Sequence, residues 1–236
     1  MAPAERRGEN PILVGVIVTF DLFSALTDSR TGGSAAFATL AARREWDLTG
    51  EEVYDRWDRH NKTLQRTARP PVTFSELSRQ ALVRTYDELG LGRETVDVDL
   101  ATIEDSVAEW PLWPDVAGGV RAVAAEHRTG ILSNVDEALA RTTRAFRLVE
   151  PELLLTSERL GAYKPSADIY RRAAATVAPE RLVHVAASAR DVRGALEAGV
   201  TTVRLVRRGH ALDAEGPQPS LEVEEAADLP GVLRTL

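Results

Sequence analysis

The run Ile12-Leu-Val-Gly-Val-Ile-Val-Thr-Phe20, ended by Asp21, constrains the fold more than any other segment of this 236-residue chain. It is uncharged and rich in β-branched side chains, and far shorter than the roughly 20 apolar residues that span a membrane. Such a run reads as a strand buried on both faces of a parallel sheet. A carboxylate at the carboxyl end of that strand stands where open α/β sheets bind their ligands.

The pattern after Gly33 is different. Ala35 to Arg44, Glu51 to Arg66 and Phe74 to Leu89 carry apolar residues at helical spacing. Thr49 with Glu52, and Thr73 with Glu76, have the spacing of capping boxes, and Pro70-Pro71 separates the helices they open. No strand-like run interrupts this stretch, which predicts an all-helical insertion. Beyond Trp110-Pro-Leu-Trp113 the period changes again. Helices over 115–127, 136–146, 166–177 and 192–198 alternate with strands beginning at Gly130, Leu153, Leu182 and Thr202. That alternation predicts right-handed βαβ units and a parallel sheet. The expected organisation is an α/β core, Rossmann-like with helices on both faces, over 12–26 and 111–236. Between those segments lies a helical cap, 27–110, and ahead of them a disordered tail, 1–11. The tail has no apolar stretch of the kind a signal peptide carries, so a cytoplasmic protein is expected.

Composition excludes several function classes. A formal net charge of −7 argues against nucleic acid or an anionic membrane as the main partner. With no cysteine there is no thiol chemistry, disulfide or thiolate metal site. The four histidines show no metal-ligand spacing, and His184, inside a strand, reads as a satisfied core residue. Of 29 basic residues only Lys62 and Lys164 are lysine. A compact ammonium kept at two places in an otherwise all-arginine chain marks those places for attention.

Four predicted strand ends carry polar groups: Asp21, Ser133-Asn134, Lys164, and Ser188 with Asp191. Each alone could be a helix cap or a first-turn acid. In a parallel sheet all four converge on one edge.

In this order the segments resemble the haloacid dehalogenase superfamily, hydrolases with an aspartate nucleophile. Val18-Thr-Phe-Asp-Leu-Phe-Ser-Ala-Leu-Thr-Asp28 resembles the first motif, which implies Asp21 as the nucleophile. Ile131-Leu-Ser-Asn134 resembles the second, implying that Ser133 holds a substrate anion with Asn134 beside it. Ala162-Tyr-Lys-Pro165 resembles the third, giving Lys164 the role of charge-compensating lysine. Val183-His-Val-Ala-Ala-Ser-Ala-Arg-Asp191 resembles the fourth, with Asp191 as its acid.

Departures from the superfamily's patterns indicate the branch. The phosphatase branch has a second aspartate two residues after the nucleophile; here Phe23 stands there, with no proton to give. Metal-dependent members begin the fourth motif with an acid, where this chain has Ala186-Ala187. Both point toward the 2-haloacid dehalogenase branch, since a halide leaves as a stable anion without general acid or magnesium. That branch has an aromatic at the position of Phe23, a fourth motif of the form Ser-Ser-Asn-Ala-Trp-Asp, which Ala186 to Asp191 matches without a gap, and a tyrosine at the position of Tyr170. Ser24-Ala25 replaces the branch's Gly-Thr, so Ser24 is the available hydroxyl near the nucleophile; Ala186 and Ser188 replace a serine and an asparagine.

The resemblance implies Asp21, Lys164 and Asp191 as catalytic residues. Substrate contacts are expected from Ser133, Asn134, Phe23, Ser24, Tyr170 and Ser188. A cap cation for the substrate carboxylate is expected at Arg59, with Arg56 and Lys62 as alternatives. No cofactor or metal is expected, magnesium entering only for a phosphatase with a rebuilt site; a degraded, non-catalytic binding member is the other alternative. The expected partner is a small anionic substrate. Trp110 and Trp113, at the cap–core junction, suit either hinge packing or the interface of a homodimer.

Overall fold

A computed structural model describes residues 15–236. The expected tail, 1–11, and the start of the first apolar run lie outside the described residues. Strand β1, Val16–Phe20, is flanked by β2, Arg128–Ser133, and β4, Arg181–Ala186. Outside them lie β3, Leu154–Thr156, and β5, Thr201–Leu205, and with the two-residue β6, Glu222–Val223, the six-stranded order is β3-β2-β1-β4-β5-β6, parallel throughout. The chain moves outward on one side of β1 through β2 and β3, then crosses to β4 on the other. That reversal of direction opens a crevice at the carboxyl end of β1, and Asp21 stands in it.

Both faces of the sheet are covered, which is why β1 is apolar on every side chain but Thr19. On one face Val18, Phe20, Val183 and Val185 pack with Val116, Val120 and Val123 of α5, Val116–Ala124. On the other Ile17, Leu132, Leu155 and Leu182 pack with Ile169, Tyr170 and Ala173 of α8, Ala167–Val177. Between these come α6, Glu137–Thr142, and the four-residue α7, Ser157–Leu160, and α9, Ala189–Glu197, follows β4. α7 was not foreseen. It ends at Gly161, whose φ of 60° is a left-handed conformation suited to glycine, and it delivers the chain to Lys164.

The inserted module is helical, as its periodicity requires, but it holds four helices where three were expected: α1, Ser29–Arg44; α2, Gly50–Thr67; α3, Phe74–Leu89; and α4, Val96–Ser106. α4 escaped notice because its inward face, Val96, Asp99, Leu100 and Ile103, includes an aspartate. Asp99 is fully buried and accepts from Arg44 Nη2 at 2.7 Å, Tyr86 Oη at 2.9 Å and Thr95 Oγ1 at 2.6 Å, so its charge is compensated inside the module. The Thr49–Glu52 capping box is complete. Thr73 caps α3, but Glu76 reaches Gln80 and leaves that box half made. The helix expected over 136–146 stops at Thr142, and a separate tight turn, Ala145–Leu148, follows it. At the end of the chain β6 and the short helix α10, Leu229–Leu233, follow a polar segment.

Two linkers enter and leave the helical module side by side. Thr27 and Leu112 form an antiparallel bridge, reinforced by hydrogen bonds from Asp28 N to Pro111 O and from Trp113 N to Leu26 O. The module also docks on the sheet edge directly. Both carboxylate oxygens of Asp136 accept from the first backbone amides of α3, Phe74 and Ser75, at 2.8 Å each. An acid placed at a helix N-terminus satisfies orphan donors and complements the helix dipole.

Candidate active site

Asp21 is the last extended residue before a single wide helical turn, Leu22–Leu26, and it caps that turn. Its Oδ2 accepts from the backbone amide of Ser24 at 2.9 Å and from the Ser24 hydroxyl. Its Oδ1 accepts from Ser133 Oγ at 3.2 Å and from Lys164 Nζ at 3.1 Å. Lys164 Nζ also donates to Asp191 Oδ2 at 2.6 Å, so one ammonium, 3% exposed, joins two buried carboxylates. The four strand ends that the sequence nominated therefore meet.

Electrostatics follow from that arrangement. Burial by itself raises the Asp21 carboxyl, and the nearby charge of Asp191 adds to this. The Lys164 ammonium and the bonds from Ser24 and Lys164 outweigh both and hold the carboxyl below its ordinary 3.8. Asp191 is likewise raised by burial, then driven well below the carboxylate range by Lys164 and His184. Both acids are ionised at neutral pH.

The surrounding residues fix this pair. Asn134 Oδ1 accepts from the Lys164 amide at 2.7 Å and its Nδ2 donates to the Lys164 carbonyl at 3.0 Å, a reciprocal clamp on the lysine backbone. The same Nδ2 donates to Gln65 of α2 at 2.9 Å. Asn134 thus lines the cavity but spends its polar atoms on Lys164 and the cap. Tyr170 departs from its expected place: it is fully buried behind Asp191, donating to Oδ1 at 2.7 Å, and does not reach the cavity. It orients Asp191; its own hydroxyl is raised by burial and by that neighbouring charge.

His184 is a satisfied core residue as read, but its partners are the site's own. Nδ1 lies 3.1 Å from Thr19 Oγ1, while Nε2 lies 3.3 Å from Lys164 Nζ and 3.2 Å from Asp191 Oδ1. The register that sets Thr19 opposite His184 places it there. A polar pair on adjacent central strands, one of them ending at the nominated carboxylate, was the signal available in the sequence.

The site opens into a cavity of about 350 Å³ under the helical module. Phe23 forms part of its wall, stacked on Phe74 at 6.0 Å and edge-on to Trp110 at 6.0 Å. Ser24, Ser133 and Ser188 also line it. Trp113 packs over the Leu22–Leu26 turn, its Nε1 donating to Ser24 O at 3.1 Å, and both Trp110 and Trp113 line the cavity.

Arg59 does not line the cavity. Its side chain is 57% exposed and bound to Glu88 at 2.7 Å, and Arg56 turns to Glu88 as well. The face of α2 over the cavity carries Tyr54, Trp57, Asp58, Asn61, Lys62 and Gln65. These positions recur at three- and four-residue intervals, and Arg59 falls on the opposite side of the wheel. Of the three expected cap cations only Lys62 reaches the cavity, and it is paired with Asp58. Arg190, which sequence reasoning did not nominate, lines it from the core; burial pulls its guanidinium below the usual arginine range.

The Lys164 ammonium occupies the space between Asp21 and Asp191, Phe23 is apolar, and Ala186-Ala187 offers no side-chain ligand. Among the described residues, no group of three or more His, Cys, Asp or Glu side chains could hold a metal ion.

Known structures share this architecture. The defluorinating L-2-haloacid dehalogenase Rha0230 superposes with a TM-score of 0.79 at 25% identity, covering 94% of this chain and 95% of that one. The L-2-haloacid dehalogenase PA0810 gives 0.76 at 27% identity, covering 94% and 100%. An L-2-haloacid dehalogenase from Xanthobacter autotrophicus, with chloropropionic acid covalently bound, shares the fold at a TM-score of 0.78 and 19% identity, covering 95% and 100%. No curated protein matches the sequence. The family model for haloacid dehalogenase-like hydrolases matches residues 17–199, from the second residue of β1 to two residues beyond α9. The chain is an enzyme of the haloacid dehalogenase-like hydrolase family.

Proposed function

We propose that this hydrolase displaces a leaving group, halide in the simplest case, from C2 of a small 2-substituted carboxylic acid, without a metal. The observation that carries the reading is the ammonium of Lys164 set between two buried carboxylates, beside an aromatic residue where phosphate chemistry needs an acid. The likeness to two L-2-haloacid dehalogenases at 25% and 27% identity supports it.

Asp21 is the nucleophile. One carboxylate oxygen attacks C2 from the side opposite the leaving group, forming an ester and expelling the halide with inversion. Four donors surround that carboxylate, and the Ser133 hydroxyl, at 3.2 Å, makes the longest of these bonds. An arriving anionic substrate draws that hydroxyl away and leaves an electron pair free to attack. Water then adds to the ester carbonyl carbon of Asp21, oriented by Asp191 and Lys164. The ester breaks to give the 2-hydroxy acid, the Asp21 carboxylate and one proton to solvent. Asp191 is too acidic to be a strong base, which suits it to orientation and to compensating Lys164.

The test is product release. Halide from 2-chloropropionate or fluoroacetate in the presence of a chelator is the expected result. Phosphate from small esters only with magnesium would instead mark a phosphatase with a rebuilt site, and neither product a binding protein.

A further inference from the structure

The cavity has a polar and an apolar part, and each selects one end of the substrate. Six basic side chains line it: Arg30, Lys62, Lys164, Arg190, Arg208 and His210. Arg30 is paired with Glu51 and Asp55, Lys62 with Asp58, and Lys164 with Asp21 and Asp191. Arg208 is exposed, and His210 is held neutral by burial and by Lys62. Arg190 differs from all of these. It is half-buried and its partners are neutral: Nη1 donates to Lys62 O at 3.2 Å and Nη2 to Gln65 Oε1 at 2.8 Å. No carboxylate among the described residues pairs with it. A guanidinium has five N–H donors in a rigid fork, so three remain free. Asp191, Asp21 and Asp58 act on its charge without bonding to it, and a bound carboxylate supplies a direct counter-charge through two parallel bonds.

Beyond Phe23 the wall is apolar and aromatic, formed by Trp57, Phe74, Ile103, Val107 and Trp110. Even at about 30 Å³ per non-hydrogen atom, the share of a water molecule in the liquid, the six atoms of 2-chloropropionate fill about half of such a cavity. The remainder suits a ring better than solvent.

We propose that Arg190 anchors the substrate carboxylate and that the group on C2 is a large apolar one, an aryl or arylmethyl, seated against Phe23, Phe74 and Trp110. This rests on the reading of Asp21 as the nucleophile toward a 2-substituted acid. The anchor comes from the core, one residue before Asp191, so the carboxylate is fixed relative to the reacting pair and not to the cap. Because Arg190 also grips α2 through Lys62 O and Gln65, an acid bound there ties the cap to the core.

Binding and turnover test this separately. Calorimetric titration uses propionate, 3-phenylpropionate and its amide; halide assays use 2-chloropropionate and 2-chloro-3-phenylpropionate. Burial of the ring makes 3-phenylpropionate bind about a hundredfold more tightly than propionate. Arg190→Gln weakens the acid by about thirty- to a hundredfold and barely affects the amide. Arg190→Lys recovers only part of this, because an ammonium lacks the fork. In turnover the Arg190→Gln loss falls on KM more than on kcat. Should Arg190→Gln fail to fold, the wild-type preference for acid over amide, also about a hundredfold, reads the same charge. Equal affinity for acid and amide, no gain from the ring, or unchanged binding in a folded Arg190→Gln would overturn the proposal. Halide release together with any of these leaves Asp21 as nucleophile and removes only the anchor. Arg190-dependent binding with no halide from either acid upholds the anchor and removes the dehalogenase reading.

Discussion

Replacing Asp21 by asparagine lowers halide release by about ten-thousand-fold or more, the usual scale for loss of a covalent nucleophile. An amide oxygen carries no negative charge and is a far weaker nucleophile at carbon than a carboxylate. The fold survives because Lys164 keeps its 2.6 Å bond to Asp191. The amide oxygen can face Ser24 or Lys164 but not both, so the variant loses about 1–2 kcal/mol, the worth of a hydrogen bond. Steady-state kinetics with a thermal melt on the same sample checks both halves. Substantial turnover by the asparagine protein would remove Asp21 from its role.

The second large effect is expected at Lys164. Methionine there keeps the volume and removes the charge, leaving Asp21 and Asp191 buried with no ammonium between them. Removing one member of a buried ion pair costs about 3–5 kcal/mol. The pH dependence has a definite sign. In the wild type both carboxyls are depressed below 3.8. Their contribution to stability is therefore complete above that value and is lost as pH falls through their folded pKa values. In Lys164→Met burial dominates and the Asp21 carboxyl rises. The difference from wild type is then largest near neutrality and shrinks as pH falls and the variant's buried carboxyls take up protons. Activity falls by about a hundredfold or more, and the acid limb of kcat/KM moves to higher pH. Denaturant melts and rate profiles from about pH 3 to pH 8 measure both, and an unmoved acid limb would mean that Lys164 does not hold Asp21 ionised.

The sequence made some parts of this site readable and hid others for physical reasons. Asp21, Ser133, Lys164 and Asp191 could be found because the carboxyl ends of parallel strands converge whatever the details of packing. Ser24, nominated as the available hydroxyl, does bond the Asp21 carboxylate. Arg59 was misplaced because α2 carries charges all round, and only packing against Phe37 and the aromatic residues of its own face decides which side meets the cavity. Tyr170, expected as a substrate contact, bonds Asp191 instead, since a position in sequence does not say whether a side chain points at the ligand or at the residue that touches the ligand. α4 stayed hidden because a buried aspartate interrupts its apolar stripe, and only the folded module reveals Arg44, Tyr86 and Thr95 waiting for it. Arg190 was visible only as the residue before Asp191; its lack of an acidic partner is a property of the assembled cleft.

The covalent role of Asp21 is tested most directly by turnover in water enriched in the heavy oxygen isotope. Under a single turnover the 2-hydroxy acid takes its new oxygen from the Asp21 carboxylate and is unlabelled. The peptide containing Asp21 then gains the label, detectable by mass spectrometry. Labelled product from the first turnover, with an unlabelled Asp21 peptide, would show that water attacks the substrate directly and would contradict an aspartyl ester.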